Sequence, residues 1–229
     1  MDTKETLRRF EDTVNRYKQE LEGLSLERLL WKPSADEWSL GQMYMHLIGS
    51  AQQMQLANAA LCLAPDGDPA DCPAGKTKQG EALFQEGSFP PDRIQVPPSP
   101  AYTPPQPAGK EQLLDGLRQT LSRMAEIEPA VAAAFDPQRD AAFQRVHKTV
   151  VHPRLGGLNA LEWFQLIEMH YRHHRLQKQR LDDAWTKAHG SCGVPAGPRR
   201  ISPSWTERPA CTPTLSSPFS PFLLYSPFS

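Results

Sequence analysis

Neither sign of charge is in excess: Lys and Arg number 25, Asp and Glu 26, and the formal net charge is -1 over 229 residues. A protein held on nucleic acid by phosphate neutralisation carries a basic surplus, so a general nucleic-acid binder is excluded and only a local basic patch could act in that way. Long hydrophobic runs are missing too. The stretch Met1 to Thr13 is charged from the start and lacks the apolar segment of a secretory signal. The most apolar string, Phe222 to Tyr225, falls far below the roughly 18 residues of a membrane span. A cytoplasmic protein with no membrane partner is the expectation. Cysteine is sparse: Cys62, Cys72, Cys192 and Cys211 stand far apart with no C-x-x-C pair, which argues against zinc knuckles and disulfide scaffolds and for free thiols in a reducing compartment. No G-x-S-x-G, Walker A or G-x-G-x-x-G string occurs, so nucleophile-elbow hydrolases and nucleotide-binding loops have no support.

Proline, by contrast, is abundant, with 23 residues at about double the average frequency of ~5%. Eleven of them fall between Ala64 and Gly109 and eight between Ala184 and Ser229. Proline removes a backbone donor and clashes inside a helix, so both stretches are expected to be largely irregular. The chain then divides into a domain over residues 1–183, with a long loop at 64–109, and a tail at 184–229. The tail repeats Ser-Pro-Phe and carries almost no charge near its end, a composition that cannot offset its ordering entropy, and disorder is expected there. The loop differs, because Phe84, Phe89, Ile94, Val96 and Tyr102 are anchors that would drape it over the domain.

Four helices follow from period and caps. Leu7, Phe10, Val14, Tyr17, Leu21 and Leu24 recur at alternating spacings of 3 and 4 behind an Asp2/Glu5 capping box. Ser39 and Gln42 form a second box, flanked by Trp38 and Met43 as a hydrophobic staple; the helix should begin at Leu40, with a seam of Met43, Leu47, Ser50, Met54, Ala57 and Leu61 that includes His46 on its inward face. A third helix opens near Lys110 and carries Leu113, Leu117, Leu121, Met124 and Ile127, with Pro129 limiting its undistorted length. The fourth is capped by Asn159 and Glu162 after a Gly156-Gly157 turn, and its seam reads Trp163, Ile167, His170, His174, Gln177, Leu181.

Two histidines therefore stand where a bundle ordinarily places leucine. Residues four apart lie one turn above each other, so His170 and His174 present two imidazoles to one point, and His46 on the second helix could supply a third. Three histidines with an open position resemble a catalytic rather than a structural metal site. The same residues could instead sit at the wet end of a bundle, solvated or hydrogen-bonded, since histidine is only intermediate in burial. His173 falls off the seam, His152 is a reserve ligand or outer partner, and His189 lies in the tail. Tyr171 follows His170, which excludes an H-E-x-x-H zincin, and no glutamate stands three residues before His46 or His170, which excludes the di-iron pattern. Arg172, Arg175, Lys178 and Arg180 read as a solvated helix face.

Three segments in this order, Lys32-Pro33 with Trp38-Ser-Leu-Gly-Gln-Met-Tyr-Met-His46-Leu47, then His152-Pro-Arg-Leu-Gly156, then His170-Tyr-Arg-His-His174-Arg-Leu-Gln177, resemble the DinB-like (DNA-damage-inducible) superfamily, which includes the YfiT-type and bacterial thiol S-transferases. The resemblance covers about Met1 to Asp183. It implies an all-α, four-helix bundle of up-down-down-up topology in which the proline-rich loop is the crossover, binding a divalent metal through His46, His170 and His174; zinc or nickel leads, with manganese or iron as alternatives. The implied function is a metal-dependent transferase activating a low-molecular-weight thiol, with a metal-dependent hydrolase or a non-catalytic metal-binding stress protein as alternatives. The partners expected are a small-molecule thiol or electrophile, without nucleic acid or membrane, and with a homodimer allowed.

Overall fold

The computed structural model describes residues 2–64, 75–91, 103–136 and 148–190. Ile94, Val96, Tyr102, His147, Cys72, Cys192, Cys211 and the tail from residue 191 lie outside the described residues. Among the described residues the fold is all-α, with one small hairpin. Helix α1, Thr3–Glu22, starts at Asp2, whose carboxylate accepts the Glu5 N–H at 2.7 Å. Glu5 does not return a bond to the cap, because Arg8 and Arg9 hold its side chain; only half of the expected box forms. Its seam is as the spacing predicts, with Phe10, Val14, Tyr17 and Leu21 fully or almost fully buried. A short helix α2, Leu26–Leu30, comes next, capped by Ser25.

Helix α3, Leu40–Gly49, opens on a complete capping box between Ser39 and Gln42. It continues without a break through a π-helical turn, Ser50–Gln55, into α4, Leu56–Leu63. This turn corrects the expected seam. A π turn takes in one more residue than an α turn, which rotates the buried face of α4 by roughly 100°. Beyond Leu47 the buried positions are Ala51, Gln55, Leu56, Ala59 and Cys62, while Leu61 is 48% exposed.

Within the expected loop, Lys78–Glu86 forms α5, capped by Thr77. Helix α6 runs Lys110–Ala134, straight through Pro129. A mid-helix proline costs about 3 kcal/mol, and here the turns around it are held by packing: Val131 is fully buried and the Thr3 hydroxyl donates to the buried Glu128 carboxylate. Strands β1, Val150–His152, and β2, Gly156–Leu158, make an antiparallel hairpin. The glycines expected to form a turn instead begin β2. Gly156 has φ +79°, and a Cβ there would collide with the Gly75 carbonyl, so this site needs glycine. The hairpin is laced to the segment before α5 by Thr77 N–H to Leu155 O and Gly157 N–H to Gly75 O, both 2.9 Å. Helix α7, Ala160–His189, begins on the Asn159/Glu162 box and extends six residues past the boundary expected at Asp183; residues 184–189 are helix, not tail.

Contacts fix how the helices lie. Thr3 meets Glu128 and Lys110 meets the Glu22 carbonyl, so α1 and α6 run oppositely; Phe10 meets Tyr171 and Glu20 meets Lys178, so α1 and α7 run together. Gln52 on the π turn donates to the Gly116 carbonyl and Thr120 hydroxyl of α6. The main core joins Phe10, Tyr17, Met43, Tyr44, Leu47, Leu113, Leu117, Ile167 and Tyr171, each such side chain contributing about 1.5–3 kcal/mol by burial. A second cluster of Cys62, Leu83, Leu158, Trp163, Leu166 and Met169 lies under the hairpin and α5, with Phe84 and Phe89 packed on it. Among the described residues no helix is long and apolar enough to cross a membrane.

Candidate metal centre

The capping box at Asn159 sets the start of α7, and eleven residues on from that cap His170 and His174 stand one turn apart. The Ser39 box does the same for α3 and places His46 opposite them. His46 Nε2 is 3.1 Å and His174 Nε2 3.0 Å from His170 Nε2. One ligand atom from each of the three lies within 4.8 Å of the other two. His170 is buried, and the other two are half-buried.

The outer ring nitrogens decide what the inner ones can do. Gln177 Oε1 stands 2.8 Å from His174 Nδ1. A carbonyl oxygen can only accept, so His174 carries its proton on Nδ1 and turns a lone pair on Nε2 toward His170. Ser50 Oγ lies 3.4 Å from His46 Nδ1, one turn along the helix where the π segment begins. His170 Nδ1 is buried without a partner among the described residues.

Burial keeps these rings neutral. His46 is lowered to about 4 by burial alone. His170 is pushed well below the ordinary histidine range, first by burial and then by the charges His174 and His46 would carry. For His174 burial again leads, followed by His46 and His173. Neutral imidazoles are the form that binds metals. The central nitrogen of His170 faces two neighbours, and one N–H can be directed at only one of them. A cation satisfies all three converging lone pairs together. The separations are near the ~3.3 Å expected between two nitrogens each about 2.0–2.1 Å from one tetrahedral zinc. These three residues therefore fit a divalent ion and could hold one.

Aromatic rings wall the cluster. Trp38, read from the sequence as half of a staple, sits 5.1 Å from the His46 ring. Phe89, one of the loop anchors, is 6.2 Å from His170 and 5.2 Å from His173. His173 itself stays outside the group of converging nitrogens, as does His152. His189 stacks on Trp185 at 3.6 Å at the other end of α7. The basic stripe is not simply a solvated face: Arg172 binds the buried Glu168 carboxylate and the Gly87 carbonyl, and Lys178 is buried between Glu20 and Asp182. Sequence reasoning missed Ser50 and Gln177 as partners of the histidines. By period both are only seam positions, although a polar residue one turn after a histidine is the available signal.

No curated protein matches this chain. The sequence model of the DinB superfamily matches residues 9–177, a span that holds all three converging histidines and ends on Gln177. The chain belongs to the DinB superfamily.

Proposed function

We propose that this protein is a metal-dependent thiol S-transferase, with a divalent ion, zinc or nickel before manganese or iron, held by His46, His170 and His174. The observation that carries the reading is the convergence of three neutral ring nitrogens, 3.0 and 3.1 Å from a shared centre on His170. A divalent ion in such a site lowers the pKa of a bound thiol or water. The remaining work falls to the chain: Gln177 fixes the His174 tautomer, Ser50 sits against the back of His46, and Trp38 and Phe89 limit water around the rings. Cys62 is a poor internal nucleophile. Its thiol lies in the second cluster, donates to the Leu158 carbonyl and is pushed up to about 11 by burial, so the thiol is taken to arrive as a cosubstrate. The reaction forms one S–C bond, breaks the bond from that carbon to its leaving group and releases the thiol proton.

Hydrolysis is the second reading, supported by the absence, among the described residues, of a group specific for a thiol around the triad. A non-catalytic metal-binding protein is the third. Elemental analysis of purified protein, combined with loss of free thiol from a cysteine and monochlorobimane mixture, separates them. Bound metal with metal-dependent thiol consumption is the expected result. Bound metal with ester cleavage and no thiol consumption favours the hydrolase, and metal without turnover the third reading.

A further inference from the structure

Outside the triad, the hairpin presents a second set of polar groups with no role in holding a metal. His152 ends β1, and its Nδ1 accepts the backbone N–H groups of Arg154 and Leu155, each at 3.2 Å. Two donors on Nδ1 require it to be the bare nitrogen, so the neutral ring carries its proton on Nε2. Burial holds the ring neutral, lowering it to about 4, with Arg154 adding to the effect. A histidine locked in this way has no lone pair left to bind a metal. It is a fixed hydrogen-bond donor, which rules out the role of reserve ligand.

The indole of Trp163 lies 5.5 Å from the His152 ring. Trp163 is fully buried, yet its Nε1–H has no hydrogen-bond partner among the described residues. A buried donor without an acceptor costs about 1–3 kcal/mol and calls for an explanation. Two residues along the hairpin from His152, the Arg154 side chain is half-buried and has no ion-pair partner among the described residues. Burial lowers its pKa with no neighbouring carboxylate to offset that. One segment and the helix wall behind it thus carry two N–H donors on neighbouring rings and a guanidinium whose charge acts on the His152 ring, with no acceptor on Trp163 Nε1 among the described residues. Phe89 connects this region to the triad through its contact with His170 and its packing on the cluster that contains Trp163.

We propose that His152, Arg154 and Trp163 form a carboxylate-binding subsite beside the histidine triad, which selects electrophilic substrates bearing an anionic oxygen. The carboxylate would accept from His152 Nε2 and Trp163 Nε1 while the guanidinium balances its charge. The subsite builds on the metal-centre reading only in making the carboxylate's carrier the substrate; its own groups are independent of a metal. It also gives Gly156 a functional reason, since the close approach of this glycine to Gly75 fixes the hairpin that carries both His152 and Arg154.

Benzoate is the probe, titrated into full-length protein and followed by the indole N–H resonance of Trp163 and the imidazole nitrogens of His152. In the free protein the nitrogen shifts of His152 should show the Nε2–H form. Benzoate should move the Trp163 and His152 signals, whereas uncharged benzamide should bind at least about tenfold more weakly. His152→Asn keeps an oxygen for the two backbone amides and removes the far donor; it should weaken benzoate about tenfold, as should Arg154→Gln and the packing-conserving Trp163→Phe. Unchanged benzoate affinity in His152→Asn and Arg154→Gln overturns the proposal, and so does wild-type protein that shows no response to benzoate. The titration is run on metal-stripped and zinc-loaded protein. Binding that needs zinc and vanishes in His170→Ala would make benzoate a metal ligand and remove the subsite, whereas failure of zinc to bind, with the benzoate response intact, would overturn only the metal-centre reading.

Discussion

Gln177 and His174 are joined by a 2.8 Å contact from the amide oxygen to ring Nδ1, three residues apart on one helix. This contact sets the tautomer of His174 and so aims Nε2 at the cluster. Removing an outer partner of a metal-binding histidine typically costs 10- to 100-fold in affinity. Gln177→Leu fills the space but offers no acceptor, and is expected to weaken zinc binding by roughly that factor with little change in helix content. Competition against a chromophoric chelator measures the affinity, and circular dichroism checks the fold. An unchanged zinc affinity would show that the ring is oriented by packing alone.

Replacing His46, His170 or His174 singly with alanine should sharply reduce metal retention after desalting. His173→Ala is the internal control and should keep it, since that ring stands outside the converging group. Metal bound only to the native state also raises stability by mass action, by about 2.7 kcal/mol at 100 times Kd. Chelation should therefore lower the melting temperature of wild-type protein and leave the triad variants nearly unmoved. Undiminished affinity in both His170→Ala and His174→Ala would remove the site.

The lowered histidines predict a pH dependence for the metal-free protein. His46 and His152 are both held at about 4 in the folded chain by burial, against an ordinary value near 6.5. Between these limits the unfolded chain binds protons that the folded chain does not, so stability rises with pH across that window. Lowering the pH from about 6.5 toward 4 should progressively reduce the urea midpoint, and the decline should level off once the folded rings also protonate. His152→Asn should flatten part of this slope. A midpoint independent of pH between 6.5 and 4.5 would mean that these rings are hydrated and titrate normally.

Much of this arrangement was legible in the sequence because it is local. Ser39 with Gln42 and Asn159 with Glu162 read directly as capping boxes, and both form. Once the helix starts are fixed, the period places His46, His170 and His174 on inward faces. The features that escaped the sequence depend on tertiary competition. The π turn at Ser50–Gln55 has no propensity signal and shifts the buried face from Leu61 to Ala59 and Cys62. Pro129 should weaken α6, but burial of Val131 and the Thr3–Glu128 bond hold the helix together beyond it. Glu5 should close a box on Asp2, but two arginines compete for its carboxylate. The lock on the His152 tautomer depends on backbone N–H groups in a hairpin turn, whose direction no residue type encodes.

The end of α7 gives a stability prediction that proline counting alone would get wrong. Proline load from Ala184 onward suggests that a chain ending at Asp183 should melt like the whole protein. Helix α7 instead continues to His189, and Trp185 packs edge-on against Trp31 with ring centroids 5.5 Å apart. The Arg28 guanidinium lies over the Trp185 ring at 5.9 Å while also pairing with Asp182. Cutting after Asp183 removes the indole and exposes the face of Trp31, while the Arg28–Asp182 pair and the core that holds Leu29 and Leu181 remain. An aromatic pair contributes about 0.5–1.5 kcal/mol beyond its buried area, and a part-buried cation over an indole about 0.5–2 kcal/mol. A chain ending at Gly190 should therefore keep the full-length melting temperature, while one ending at Asp183 should melt several degrees lower. Trp185→Ala in the full-length chain should reproduce most of that loss. Equal melting of the two truncations would show that α2 and the end of α7 add nothing to each other.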